Sequence, residues 1–254
     1  SSACTAPTVD NGNALVNVST GWERVETKIE DVAVTRRLKR AQIPYGTPIL
    51  PDIYVKTSLY ETIVSQVIDP KRPPVRSICI YGKAGGGKTI MASWVVRDTR
   101  TRSSFSDGVF WVSVGPNGRH QVASLLRRLA QQFTREPGLG IEGYMCDMGA
   151  SLEIIHFLRN IKGKRRCLVV LDDVWHPEVI QAFGQTGVHL LVTTRTRSAI
   201  PPKWSGGFTE VGELQEKEAL RILSLASGAV MALLPEEEAK QVAVDCGMLP
   251  MALS

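Results

Sequence analysis

Between residues 57 and 211 the chain alternates short apolar runs with stretches whose apolar positions recur every three or four residues. A short apolar run bounded by turn residues fits a strand covered on both faces, and a 3.6-residue period fits a helix packed along one side. The pattern predicts helix 57–68, strand 76–81, helix 88–100, strand 108–114, helix 121–133, helix 150–161, strand 166–171, helix 177–183, strand 188–193 and strand 208–211. Such alternation builds an α/β fold: a three-layer parallel sheet with helices on both faces. From about Leu214 the pattern is helical throughout, with Glu216–Ser227 and Pro235–Cys246 as candidates, so part of a small helical domain is expected next.

Ahead of the sheet, residues 1–20 lack periodicity, and Val25, Ile29 and Val32 recur at helical spacing in a segment that reaches about Arg40. The turn-rich stretch Ile43–Pro51 reads as a linker. The expected organisation is therefore an N-terminal segment and linker over 1–50, a nucleotide-binding domain over 51–212 and the start of a helical domain over 213–254. A hydrophobic fraction of 43% suits a chain that buries a real core. The net charge of +5 is a mild excess, 30 basic against 25 acidic residues, and the basic runs Arg36–Arg40 and Lys162–Arg166 are not interleaved with aromatics. That argues against a nucleic-acid surface. Five widely spaced cysteines without a C-x-x-C pair support neither a disulfide framework nor a zinc site, and Cys79 and Cys167 fall inside apolar strand patterns. Buried thiols of this kind fit a reducing, cytoplasmic setting. The opening residues carry no leader pattern, and the apolar window Leu223–Leu234 is too short to span a bilayer.

Chemistry first changes the picture at Gly82-Lys83-Ala84-Gly85-Gly86-Gly87-Lys88-Thr89, which fits the phosphate-loop pattern G-x-x-x-x-G-K-S/T between a predicted strand and a predicted helix. The glycines permit positive φ angles and close approach of the backbone, so successive N–H groups can converge on an anion. The helix N-terminus adds its positive dipole end, Lys88 is placed for the β and γ phosphates, and the Thr89 hydroxyl for magnesium. A second apolar strand, Cys167–Leu171, runs into Asp172-Asp173-Val174-Trp175. Ligands in parallel sheets bind beyond the carboxyl ends of strands, which places the pair beside the phosphate loop. Asp172 would hold magnesium and Asp173 would orient or deprotonate an attacking water. By itself the pair also fits a strand ending in a turn. A third strand delivers Thr193, Thr194 and Arg195 to the same edge; Arg195 suits a γ-phosphate contact, although its spacing is equally that of a surface arginine. The four histidines, His120, His156, His176 and His189, have no metal-ligand spacing.

Four blocks in order, the phosphate loop, Leu168–Trp175 as L-V-V-L-D-D-V-W, Val192–Arg195 as V-T-T-R and Cys246–Leu253 as C-G-M-L-P-M-A-L, resemble the NB-ARC domain of plant disease-resistance receptors and apoptosome-forming proteins, a module of the STAND class of signal-transduction ATPases. Phe105–Val114 is similar to the strand block after that family's first helix. The resemblance covers about residues 52–254. It implies a P-loop NTPase fold and an ADP/ATP switch with slow turnover. In the family's pattern the backbone around Ile53 and Val55 contacts adenine and Gly85, Gly86, Gly87, Lys88 and Thr89 take the phosphates. Ile90 flanks the nucleotide, Arg195 acts as sensor, and Leu249 with Pro250 closes on the base or ribose. The sequence departs from the family block at Met248, which stands for Gly, and at Met251, which stands for Leu. The family's winged-helix domain with its M-H-D histidine has no counterpart before Ser254, so the chain reads as a fragment.

The expected function is a switch module of an innate immune or cell-death signalling receptor that binds ADP or ATP with Mg2+. Nucleotide exchange would control its conformation and its self-association within a longer protein. The alternatives are a turnover ATPase of AAA or P-loop type, using Asp173 and Lys88 catalytically, and a DNA-bound regulator of the STAND class.

Overall fold

The computed structural model describes residues 43–69, 77–134, 155–156, 159, 166–204, 206–228 and 235–254. Five parallel strands form one sheet: β1 (Ser77–Tyr81), β2 (Gly108–Gly115), β3 (Cys167–Val174), β4 (His189–Thr194) and β5 (Gly207–Glu210), in spatial order β2-β3-β4-β1-β5. β1 sits between β4 and β5, with Cys79 opposite both Val192 and Phe208. A central strand of a parallel sheet is covered above and below, which explains why Ile78, Cys79 and Ile80 are all buried and the sequence shows a continuous apolar run there.

The pleat sorts alternate residues to two cores. Cys79, Phe110, Val112, Val169, Leu171, Leu190 and Val192 pack with helices Val122–Thr134 and Pro177–Gly184. Ile78, Ile80, Trp111, Leu168, Val170 and Leu191 pack with helices Leu59–Ile68 and Lys88–Arg97 on the opposite face. This is the three-layer arrangement the hydrophobic pattern predicts. A third, smaller core joins Leu214, Ala219 and Ile222 to Ala243 and Leu253, so that helices Glu216–Ser227, Glu236–Asp245 and Pro250–Leu253 pack together, with Ile53 and Val55 against them.

Most boundaries shift from the sequence expectation by a residue or two, and the largest shifts fall at the end of the helix after β1 and the end of β3. The predicted helix 88–100 stops at Arg97, because Asp98 takes extended angles and its carboxylate accepts from the Arg100 N–H, capping a new helix, Thr99–Ser104. Aspartate's preference for the cap sets the break, and no apolar position from 98 to 104 opposes it. Strand β3 runs past residue 171 to Val174, so both aspartates lie within its last residues. Strand β5 begins one residue earlier than expected, at Gly207, and ends at Glu210. The predicted helix near 22–40 and most of that over 150–161 lie outside the described residues, although Ile155, His156 and Arg159 are helical.

Candidate nucleotide site

The loop after β1 turns on two glycines in conformations that L side chains rarely adopt. Gly82 has φ 151°, and a Cβ there would stand 2.1 Å from the Val211 carbonyl oxygen, itself fixed because Val211 N–H donates to the Tyr81 carbonyl. Gly87 has φ 86° and is the N-cap of helix Lys88–Arg97, with no side chain bonding the first-turn N–H groups. Those amides are left for a ligand, with the positive end of the helix dipole behind them. Lys88, the first helical residue, is only 8% exposed. Its ammonium donates to the Lys83 carbonyl at 2.6 Å. Burial lowers its pKa, and the charge of Arg195 lowers it further.

At the end of β3 the ladder to β4 slips between Leu171 and Val174, and the slip sets the two aspartates apart. Asp172 is 7% exposed, and its Oδ1 accepts from Thr89 Oγ1 at 2.9 Å and Thr193 Oγ1 at 2.7 Å. Burial raises its pKa, with the two hydroxyls working in the other direction. Asp173 has φ 57°, donates its N–H to Thr193 Oγ1 at 2.8 Å, and accepts from Arg195 Nε at 3.2 Å and Trp175 Nε1 at 3.0 Å. Thr193 thus bridges the pair, accepting from one aspartate's backbone and donating to the other's carboxylate. The sequence brings Thr193 to this edge; its bridging of the two aspartates comes from its register beside them.

A cavity of about 720 Å³ opens between this sheet edge and the helical part, and it gathers Ile53, Val55, Gly85, Gly86, Gly87, Lys88, Thr89, Ile90, Asp172, Asp173, Arg195 and Pro250. Leu249 does not line it; Met251 and Ser254 do. The neighbouring helix sits directly on the loop: the Met251 N–H donates to the Gly85 carbonyl at 3.3 Å, and a Cβ at Gly87 would lie 3.7 Å from Pro250 Cγ. The other end of the cavity has an aromatic wall that the sequence pattern does not reveal. Tyr54 meets Trp94 edge to face at 4.9 Å, and Trp94 follows Ile90 by one helical turn, a spacing that puts both on one face. Gln215 and Glu218 also line it, locked to each other in a capping box whose Q-x-x-E spacing is visible in the sequence. Phosphate donors at one end and an apolar, aromatic wall at the other suit a nucleotide.

The family model for the NB-ARC domain matches residues 57–231. The chain belongs to the NB-ARC family. Among its relatives, apoptotic protease-activating factor 1 of Danio rerio is 31% identical over 221 residues, covering 82% of this chain and 17% of the relative. Disease resistance protein RPS5 of Arabidopsis thaliana is 25% identical over 184 residues, covering 69% of this chain and 20% of the relative. The chain thus spans about a fifth of the length of these relatives. Among solved structures, a Signal Transduction ATPase with Numerous Domains protein with a tetratricopeptide repeat sensor, from Pyrococcus horikoshii, aligns with TM-score 0.52 at 16% identity, over 82% of this chain and 30% of that one. A Walker-type ATPase of Pyrococcus abyssi aligns with TM-score 0.51 at 10% identity, over 78% and 65%. These two likenesses establish the fold.

An NB-ARC domain is a nucleotide-binding domain. Among the described residues no cluster of three or more His, Cys, Asp or Glu side chains is placed to hold a metal by itself. Thr89 and Asp172 offer two hard oxygens 2.9 Å apart, a partial set of the kind magnesium completes with phosphate oxygens and water. No helix among the described residues is long and apolar enough to cross a membrane.

Proposed function

We propose that this NB-ARC chain is the ADP/ATP-binding switch module of a receptor in innate immune or cell-death signalling, with nucleotide exchange setting its conformation and self-association. One observation carries the reading: the phosphate loop and the helical segment that follows residue 213 wall the same cavity, and they touch through Met251 and Gly85. A ligand lying there contacts both parts at once, so it favours whichever arrangement it binds more tightly, by its difference in affinity for the two. The names of the relatives, an apoptotic protease-activating factor and plant disease resistance proteins, support the signalling context.

In this reading the β phosphate rests on the amides of residues 85–89 with Lys88 alongside. The base lies toward Ile53, Tyr54, Val55 and Trp94, and Pro250 closes on the sugar or base. Thr89 and Asp172 would hold Mg2+, which when bound offsets phosphate charge. Their present hydrogen bond keeps both oxygens in position for it. Lys88 enters with its charge already desolvated, so its exchange of the Lys83 carbonyl for a phosphate is favourable. Hydrolysis is slow in this reading, because Asp173, the carboxylate next along the strand, is engaged by two donors. Cys79 is buried, and burial pushes its thiol up to about 12, which keeps it inert in a reducing cytoplasm.

Titrating ADP into Lys88→Ala and Thr89→Ala tests the proposal. Loss of one charged hydrogen-bonding partner for phosphate is expected to weaken ADP binding by about 30-fold or more in Lys88→Ala. Affinity equal to that of the unaltered chain would refute it.

A further inference from the structure

Three side chains at the end of β3 and β4 close on one another. The Trp175 indole N–H donates to Asp173 Oδ2 at 3.0 Å, Arg195 Nε donates to Asp173 Oδ1 at 3.2 Å, and the Arg195 guanidinium carbon lies 4.8 Å from the centre of the Trp175 ring. The backbone is bent to allow it: φ 57° at Asp173 is a left-handed conformation that persists where the surroundings over-determine it. Here they do so through the Thr193 hydroxyl, which accepts the Asp173 N–H and ties it to Asp172.

The arrangement uses one edge of the guanidinium and leaves the other. Of the five N–H donors of arginine, only that on Nε is engaged, and the two Nη groups have no hydrogen-bond partner among the described residues. Arg195 lines the same cavity as Lys88 and Thr89. The charge of Arg195 lowers the pKa of Lys88, and an anion in the cavity they share relieves both. Trp175 itself is 37% exposed, too open to be explained as a core residue of the sheet.

We propose that Trp175 is a positioning residue for telling nucleoside triphosphate from diphosphate: with Asp173 it holds the Arg195 guanidinium by face and by one edge, so that the free edge is presented to the terminal phosphate. The inference rests on the nucleotide reading of the cavity and gives Asp173 the task of anchoring a cation instead of activating water. A loose arginine must give up side-chain freedom to clamp a phosphate, whereas a stacked and anchored one has given it up before the ligand arrives. Guanidinium planes suit this because they stack on aromatic faces while keeping donors in the plane for phosphate. The benefit reaches only the ligand that carries the phosphate Arg195 touches.

The test is calorimetric titration of the whole chain with ADP and with a non-hydrolysable ATP analogue, for Trp175→Leu, Trp175→Phe, Arg195→Ala and the double variant Trp175→Leu/Arg195→Ala. Trp175→Leu is expected to weaken the triphosphate analogue about 5-fold while ADP changes less than about 2-fold. Trp175→Phe, which keeps a ring and loses the donor, falls between. In the Arg195→Ala background the Trp175→Leu change has no further effect, as required of a residue acting through Arg195. Equal loss for both nucleotides, no loss for either, or a Trp175→Leu effect undiminished without Arg195 would overturn the proposal. Lys88→Ala keeps the two readings separable: if it binds ADP normally the nucleotide site itself is wrong, and if it loses ADP while Trp175→Leu is neutral, only the positioning role is wrong.

Discussion

Asp98 and Asp172 are both carboxylates held largely out of water, and their surroundings are opposite. The Asp98 side chain is 9% exposed, and Arg100 reaches it by its backbone N–H at 2.7 Å and by Nη2 at 2.8 Å, while the Tyr60 hydroxyl also donates to it. Arg100 in turn pairs with Glu61 at 2.9 Å. The Arg100 hydrogen bond, with help from Tyr60, holds the Asp98 carboxyl well below the usual carboxylate range, and burial together with Asp98 pushes the Tyr60 hydroxyl up to about 12. Asp172 is 7% exposed and receives two neutral hydroxyls and no cation, so burial prevails and its pKa rises. The same contrast separates the cations: Arg100 has two carboxylates, whereas buried Lys88 has a backbone carbonyl. The difference marks which charges serve the fold and which await a partner. A structural ion network closes on itself, and a binding site keeps a desolvated cation and a desolvated anion, Lys88 and Asp172, each lacking an opposite charge in contact.

The contrast breaks most visibly at Lys88. Lys88→Ala should weaken ADP binding by about 30-fold or more and leave the thermal midpoint unchanged or slightly higher, since a buried ammonium bonded to one carbonyl contributes little to folding. A large drop in the midpoint, seen by calorimetry, would place Lys88 with the structural group. Next is Asp98→Ala, which leaves Arg100 with Glu61 alone and uncaps the first turn of helix Thr99–Ser104. It should lower unfolding free energy by about 1–3 kcal/mol in denaturant titrations, without altering nucleotide affinity.

The acid side of the stability profile sharpens the same distinction. The folded pKa of Asp98 lies below its unfolded value of about 3.9, so its contribution is complete above about pH 4 and is lost as pH falls further. Asp98→Asn should therefore flatten the acid limb measured by denaturant unfolding between about pH 4 and pH 2. Asp172 has the reverse sign. Its folded pKa is raised, so the ionised form opposes folding above that pKa, and the opposition fades as pH falls through it toward the ordinary carboxylate value. Asp172→Asn is expected to have the smallest effect on folding, a slight rise in midpoint at neutral pH, together with loss of any magnesium dependence of ADP affinity.

Most of this site is legible in the amino-acid sequence, because its chemistry is written in contiguous residues. Gly82–Thr89 and Asp172-Asp173 are each one short block, and the strand-end rule alone brings them together. The wall made by Tyr54 and Trp94 is not legible there, since it depends on how residues 51–57 cross the helix Lys88–Arg97, and no period encodes that. The break at Asp98 is hidden for another reason: the residues after Arg97 are polar and helix-compatible, and the cap that starts the next helix is a single side chain. Leu249 shows the limit of carrying a motif over whole, for its neighbours Pro250 and Met251 reach the cavity and it serves as N-cap of the short helix Pro250–Leu253. Trp175 ends the L-V-V-L-D-D-V-W block, yet its place against Asp173 and Arg195 shows only in the fold.

A crystal structure of the chain with ADP and magnesium tests the central claim most directly. The diphosphate is expected on the amides of residues 85–89 beside Lys88, with the cation between Thr89 and Asp172 and their present 2.9 Å hydrogen bond broken. A diphosphate bound elsewhere, with Lys88 still on the Lys83 carbonyl and the Thr89–Asp172 bond intact, would contradict it.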